Sequence, residues 1–266
     1  MTNSIEVLVA TTNQKDHTLL SKMNIQTDAI VANQCDRNVI ENFVWKDCKI
    51  RYLNFCEKGV GLNRNNALMR ATADYCVFAD DDMVFYDNYS EIVSNTFASN
   101  EKADILIFNI DEVGATKRRK NKKIKKIGIF NYFNYGAARI AVRRKDVQYK
   151  GINFNLNFGG GTKHSSGEDT LFLRDCLRSG LKIFAIPISI AKLEESREST
   201  WFNGYNEKYF YDAGIVLGIA HPILCQIMIV YLTLKHKDFR ISGEKGIWPV
   251  IKAYRKGIKY SKKRKS

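Results

Sequence analysis

The stretch from Ala73 to Phe85, ADYCVFADDDMVF, constrains this chain more than any other. Tyr75 to Ala79 reads as a short buried strand, and the chain then runs directly into Asp80, Asp81 and Asp82. Three adjacent like charges repel one another. Held against a core by the preceding strand, they stay ionised comfortably when a cation sits among them. A hard divalent ion, Mg²⁺ or Mn²⁺, suits carboxylate oxygens and keeps positions open for a phosphate. The plain alternative is a solvated acidic turn.

The residues before this stretch repeat one pattern. Ile5 to Ala10 is a nearly continuous apolar run, closed by Thr11, Thr12 and Asn13; Leu19 to Met23 suggests a short helix. Asp28 to Ala32 predicts a second strand, closed by Asn33, Gln34, Cys35 and Asp36, and Ile50 to Phe55 a third. Lys58 to Gly61 turns into a helix from about Leu62 to Ala73, with Leu62, Leu68, Met69 and Ala71 as its expected buried side. Strands alternating with helices imply parallel βαβ units, which bind ligands outside the carboxyl ends of the strands, where the polar clusters fall. Neither a dinucleotide fingerprint nor a P-loop follows the first strand, where TTNQKD stands, so any nucleotide is held by another device.

Further on, Asn88 to Ser99 predicts a helix, Ile105 to Ile110 a fifth strand, Ala137 to Val142 another, and Lys182 to Pro187 the last, before Ser199, Thr200 and Trp201 return to the surface. Between them lies a second informative site. Phe158 to Gly161 (FGGG) makes a loop that can move or let a ligand approach the backbone. Gly167, Glu168 and Asp169 then open an amphipathic helix, Thr170 to Ser179, ended by Gly180. Acidic residues in a first helical turn are either dipole partners or, under a glycine loop, a general base. His164 reads as a surface or supporting residue, not a ligand.

The six cysteines form no C-x-x-C pair and read as reduced core residues of a cytosolic protein; Met1 to Glu6 is polar and does not resemble a signal peptide. The net charge of +14 concentrates in Lys117 to Lys126 and in the tail from Lys235 to Lys265. The first block reads as a solvated loop or hairpin, or as a contact with a phosphate-bearing acceptor or a membrane.

Taken together, Asn13 after the first strand, NQCD after the second, GVGLNRNNAL (Gly59 to Leu68), FADDDMVF (Phe78 to Phe85) and GEDTLFL resemble the family 2 glycosyltransferases of the GT-A fold, those of bacterial capsule and surface polysaccharide assembly in particular. The resemblance covers Ile5 to Gly204. It implies an α/β, Rossmann-like, mostly parallel central sheet flanked by helices, with a C-terminal helical extension. The expected division is a glycosyltransferase domain over 1–204, its nucleotide-sugar half about 1–110 and its acceptor half about 111–204, followed by a basic tail over 205–266. By the same resemblance Thr11, Asn13, Asn33 and Asp36 would line the nucleoside pocket, and Lys58 and Arg64 would lie near the pyrophosphate. Asp80 would sit near the ribose and, with Asp82, at the metal; Asp81 would lie beside the nucleotide. Asp169 would be the base of an inverting enzyme, with Glu168 beside it. Thr12 stands where the family often has a tyrosine that stacks on uracil, and Asn33 where it often has aspartate. A UDP-sugar is the expected donor.

Ala213 to Leu234 is long and apolar enough to be considered as a membrane span. His221, Pro222 and Gln226 interrupt it, so two shorter helices are expected, packed on the domain or lying in the membrane interface. Beyond it Ile247, Trp248, Ile251, Tyr254 and Ile258 recur at helical spacing opposite Lys252, Arg255, Lys256 and Lys259. That pattern fits an interfacial helix on an anionic membrane, or an ordinary terminal helix with a solvated basic face. The sequence thus predicts an inverting, metal-dependent glycosyltransferase, docked on the inner face of the cell membrane and acting on a saccharide or lipid-linked acceptor. Two rivals are a nucleic-acid-binding protein, which leaves the aspartates unexplained, and a sugar nucleotidyltransferase, which needs a glycine-rich turn after the first strand.

Overall fold

The computed structural model describes residues 3–112, 120–194, 204–235, 240–241 and 246–263 of the 266. Its centre is a ten-stranded sheet. In chain order the strands are β1 (Ile5–Thr12), β2 (Asp28–Gln34), β3 (Val39–Trp45), β4 (Cys48–Phe55), β5 (Tyr75–Asp80), β6 (Met83–Phe85), β7 (Ile105–Asp111), β8 (Lys125–Ile127), β9 (Ile140–Arg143) and β10 (Ile183–Leu193). They lie in the order β3-β4-β2-β1-β5-β9-β7-β10-β6, with β8 paired to β10. β4, β2, β1, β5, β7 and β10 all run one way; β3, β9, β6 and β8 run against them.

The apolar runs become the central strands because both faces of the sheet are covered. Val7, Val9, Val31 and Val77 face one core with Phe97 and Phe108; Leu8, Ile30 and Phe78 face the other with Leu68 and Phe172. The helices α1 (Thr18–Lys22), α2 (Val60–Arg70), α3 (Tyr89–Ser99), α4 (Arg144–Tyr149) and α5 (Glu168–Arg178) flank it. The strands differ from expectation in several places: β6 and β8 are additional short antiparallel strands on β10, and β10 continues past Pro187 to Leu193. Val39–Trp45 forms an antiparallel hairpin with β4, turning at Lys46 and Asp47, both at positive φ. The expected strand over Ala137 to Val142 begins as a 3-10 turn at Ala137–Arg139 and then runs as β9, antiparallel between β5 and β7. In α2 the expected buried side is also revised: Met69 is exposed, whereas Asn63 and Arg64 are buried.

Of the basic block, Lys117 to Arg119 lie outside the described residues. Lys120 pairs with Asp111 at 2.7 Å, and Lys125 and Lys126 stand exposed on β8. Ser199, Thr200 and Trp201 are likewise outside the described residues.

Pro222 does break the long apolar run: α6 (Glu207–Ala220) ends before it, and α7 (Cys225–Lys235) follows it. Among the described residues no helix is long and apolar enough to cross a membrane. The last helix, α8 (Trp248–Lys263), buries Ile251, Tyr254 and Ile258 against α6 and α7, while Trp248 at its start stays exposed, so most of the side expected to meet a membrane is inside the protein. The cause is close backbone approach. A Cβ on Gly214 or Gly257 would strike backbone atoms of the opposite helix, and one on Gly218 would strike Ser261. This helical unit is joined to the sheet domain through Phe158 and Leu171, which form one cluster with Ile215, Val216 and Ala220.

Candidate active site

The first strand, the acidic turn and the starts of α2 and α5 meet at the carboxyl ends of β1, β2 and β5. Arg64 joins them. It projects from α2, is 5% exposed, and its guanidinium reaches three carboxylates: Asp80 at 2.8 Å, Glu168 at 3.0 Å and Asp169 at 2.9 Å. Its planar fork of donors is what lets one cation hold three anions from two segments, which a lysine ammonium cannot do with the same geometry. The ring of Phe154 lies 5.5 Å from the guanidinium carbon and closes one side.

Glu168 and Asp169 stand at the start of α5, after Gly167 at a φ of 118°. Burial, and then the neighbouring Asp169 charge, push the Glu168 carboxyl up from 4.5 to about 7, against the pull of Arg64. Burial also raises Asp169, again opposed by Arg64. Two adjacent acids facing one buried cation thus hold protons more tightly than free carboxylates, which suits a group that must accept a proton.

The glycine loop packs tightly against this pair. Gly160 accepts a hydrogen bond from the Val60 amide at 2.9 Å, and a Cβ on Gly159, at a φ of 97°, would sit 2.7 Å from the Glu168 carboxyl carbon. Close backbone approach explains the glycines here. His164, expected at the surface or in support, is buried and pairs with Asp212 of α6 at 2.8 Å; Lys208 also reaches Asp212.

The other expected residues divide into two groups. Thr11 is buried and donates to Asp81 at 2.6 Å, and Asn63 donates to the Thr11 carbonyl, so Asp81 is tied to the end of β1. Asn13 is exposed at a φ of 55°, with its amide bonded to the Gln34 carbonyl. Asp36 and Lys58 are exposed on the loops after β2 and β4. Asn33 differs: its side chain is buried and bonds Gln14 and Asn54, joining the turn after β1 to β4. Asp82 is half-buried, and its carbonyl accepts from the Glu194 amide at 2.9 Å, so the end of β10 holds the acidic turn.

Among the described residues no three His, Cys, Asp or Glu side chains converge as a ready metal site. Mg²⁺ is usually held by one or two carboxylates together with substrate phosphates; of the two expected here, Asp82 is half-buried and Asp80 is paired with Arg64. The reach of Arg64 is the feature sequence reasoning missed. Its signal was there: Arg64 shares a stripe with Gly61 and Leu68 at helical spacing, and a charge on a buried stripe demands a partner.

A mostly parallel sheet flanked by helices, with an acidic turn after a central strand and a carboxylate pair joined to it through Arg64, is consistent with an α/β protein of the GT-A fold. The comparisons narrow the class. Residues 25–166, more than half of the chain, match the family described as glycosyl transferase family 2. The chain belongs to that family and is a glycosyltransferase. No curated protein matches it significantly. Its fold is similar to that of residues 1–349 of S. aureus TarS in complex with UDP-GlcNAc, with a TM-score of 0.61, 14% identity, and coverage of 86% of this chain and 72% of that one. The same fragment with UDP gives a TM-score of 0.57 at 15% identity. Against the longer TarS structure the TM-score is 0.59, and this chain covers 43% of it. At such identity the likeness is one of fold.

Proposed function

We propose that the chain is an inverting, metal-dependent glycosyltransferase that moves a sugar from a UDP-sugar to a hydroxyl of a saccharide acceptor. The observation that carries this reading is the Arg64 cluster, which brings the acidic turn after β5 and the Glu168–Asp169 pair within one guanidinium's reach. The uridine donor is suggested by the TarS complexes with UDP-GlcNAc and UDP. In this reading Thr11, Asn13, Asp36 and Asp81 lie around the nucleoside, with Asn33 supporting their loops, and Lys58 faces the diphosphate. Asp82 and Asp80 hold Mg²⁺ or Mn²⁺, which when bound supplies charge neutralisation to the departing diphosphate.

Asp169 is the proposed base. The acceptor hydroxyl attacks the anomeric carbon, its proton passes to a carboxylate oxygen of Asp169, and the bond to the diphosphate oxygen breaks with the electron pair leaving on UDP. A single in-line displacement inverts the anomeric centre. Glu168 and Arg64 orient that carboxylate. The site residues lie within 1–204, and the helical tail over 205–266 packs on that part; the acceptor is lipid-linked, for a surface polysaccharide such as capsule, and the enzyme docks on the cytoplasmic face of the cell membrane. The basic tail supports that last part, since anionic lipid attracts clustered Lys and Arg.

The test is calorimetry with UDP, GDP, CMP and dTDP, with Mn²⁺ and then with EDTA, on the full chain and on Asp169→Asn. Metal-dependent binding of UDP in both proteins, with transfer lost only in the variant, is the expected result. Normal turnover by Asp169→Asn removes the base, and no nucleotide binding removes the donor site.

A further inference from the structure

The helical tail carries a surface that the sheet domain does not use. α7 is apolar on both sides. Its inner side, Cys225 and Ile229, packs with α6 and α8. Its outer side presents Ile223 just before the helix, then Ile227, Val230, Tyr231 and Leu234, spaced at four, three, one and three residues as one helical stripe. Ile223 is 90% exposed, Ile227 70% and Leu234 61%. Isolated exposed apolar residues are ordinary, but a continuous stripe ending in a cation marks an interaction surface. Lys235 closes it, with its ammonium 5.2 Å from the Tyr231 ring.

The surroundings identify the occupant. α8 packs beside α7 and displays Lys252, Arg255, Lys256 and Lys259 outward; they rim a groove of about 300 Å³ whose floor is Trp248 and Ile251. Packed helices lie about 8–10 Å apart, comparable to the Debye length of about 8 Å at physiological salt, so these cations add a salt-sensitive attraction for an anionic surface that approaches α7. A second copy of the chain would bring the same cations face to face. An anionic bilayer complements both the charge and the apolar stripe. α7 spans roughly 16 Å, well short of a hydrocarbon core, so it lies in the interface.

We propose that the outer face of α7 seats the enzyme on an anionic phospholipid bilayer, with the basic row of α8 drawing it there. This rests on the membrane reading given above and relocates it: the apolar side of α8, the sequence candidate, is occupied by α6.

The test is co-flotation of the full chain with vesicles of phosphatidylcholine alone or containing phosphatidylglycerol. Three proteins are compared: wild type, Ile227→Ser with Leu234→Ser, and Lys252→Glu with Lys259→Glu. The expected result is salt-sensitive binding of wild type to phosphatidylglycerol vesicles. The serine pair lowers partitioning by about tenfold or more, because it removes methyl and methylene groups that the bilayer would bury, and it melts as cooperatively as wild type, because Ile227 and Leu234 are exposed in the protein. The glutamate pair lowers it and removes most of the salt dependence. Wild-type binding that survives the serine pair overturns the α7 surface but leaves the membrane reading standing. No binding by wild type overturns both. A concentration-dependent dimer that the serine pair dissociates, with no vesicle binding, assigns the face to a second copy instead.

Discussion

Arg64 sits in a helix interior with its guanidinium buried and its Nε lacking a hydrogen-bond partner among the described residues. A buried charge with an unmade bond is retained where its other contacts hold it, and here those contacts are the three carboxylates. The sequence showed each carboxylate as part of a polar cluster and placed Arg64 near a pyrophosphate. It did not show the pairing, because Arg64 and Asp169 are 105 residues apart and only the sheet brings them together. Glu168 gives this cluster a pH signature. Its folded-state value of about 7 lies above the ordinary 4.5, so between those limits the folded protein binds more protons than the unfolded one. Stability therefore falls as pH rises through that window and levels off above it. Glu168→Gln removes this contribution and leaves that of Asp169, whose raised carboxyl acts in the same direction. Urea unfolding from pH 4.5 to 7.5 is expected to give a shallower decline for the variant; an unchanged slope would show that Glu168 does not titrate there.

Elements built from long apolar runs were legible, because two covered faces demand continuous hydrophobicity: β1, β2, β5 and β7 fall where the runs do. β3 was missed because it is an edge strand whose apolar residues divide between its two sides: Val39, Ile40 and Val44 are exposed, while Phe43 and Trp45 pack half-buried against the core, so no clean alternation announces it. The turn at Pro222 was read correctly from its missing amide hydrogen. The α8 stripe was read as amphipathic, which it is, but amphipathicity does not name the partner. Glycines at the α6–α8 seam do. Gly257→Ala places a Cβ 2.8 Å from the Ile215 amide nitrogen and against the Tyr211 carbonyl, so it is expected to destabilise by about 1–3 kcal/mol. Gly128→Ala, with open space around it, is the control and is expected to melt like wild type. Equal melting of the two variants would mean that the helices do not approach so closely.

On the scale of the whole molecule, the sequence divides the chain into a domain over 1–204 and a helical tail over 205–266, packed on the domain or lying in the membrane interface. The packing joins the two: Ile215 and Val216 share a core with Phe158 and Leu171, and the buried His164 takes its hydrogen-bond partner, Asp212, from α6. A chain cut after residue 204 exposes that cluster and leaves His164 without Asp212. It is expected to lose its cooperative melt and its UDP binding together; a shortened chain that melts sharply and binds UDP would restore the two-part reading.

The acidic turn that opens the site follows Asp80, yet it is secured by the other end of the sheet. β6 pairs with β10, and the Glu194 amide holds the Asp82 carbonyl. During synthesis, residues 80–82 therefore leave the ribosome more than a hundred residues ahead of the strand that fixes them. A nascent chain containing the whole nucleotide-sugar half cannot yet present a finished donor site. The two halves are expected to mature in one late step, with β10 as the closing piece, which places the slow, non-local part of folding at the acidic turn itself.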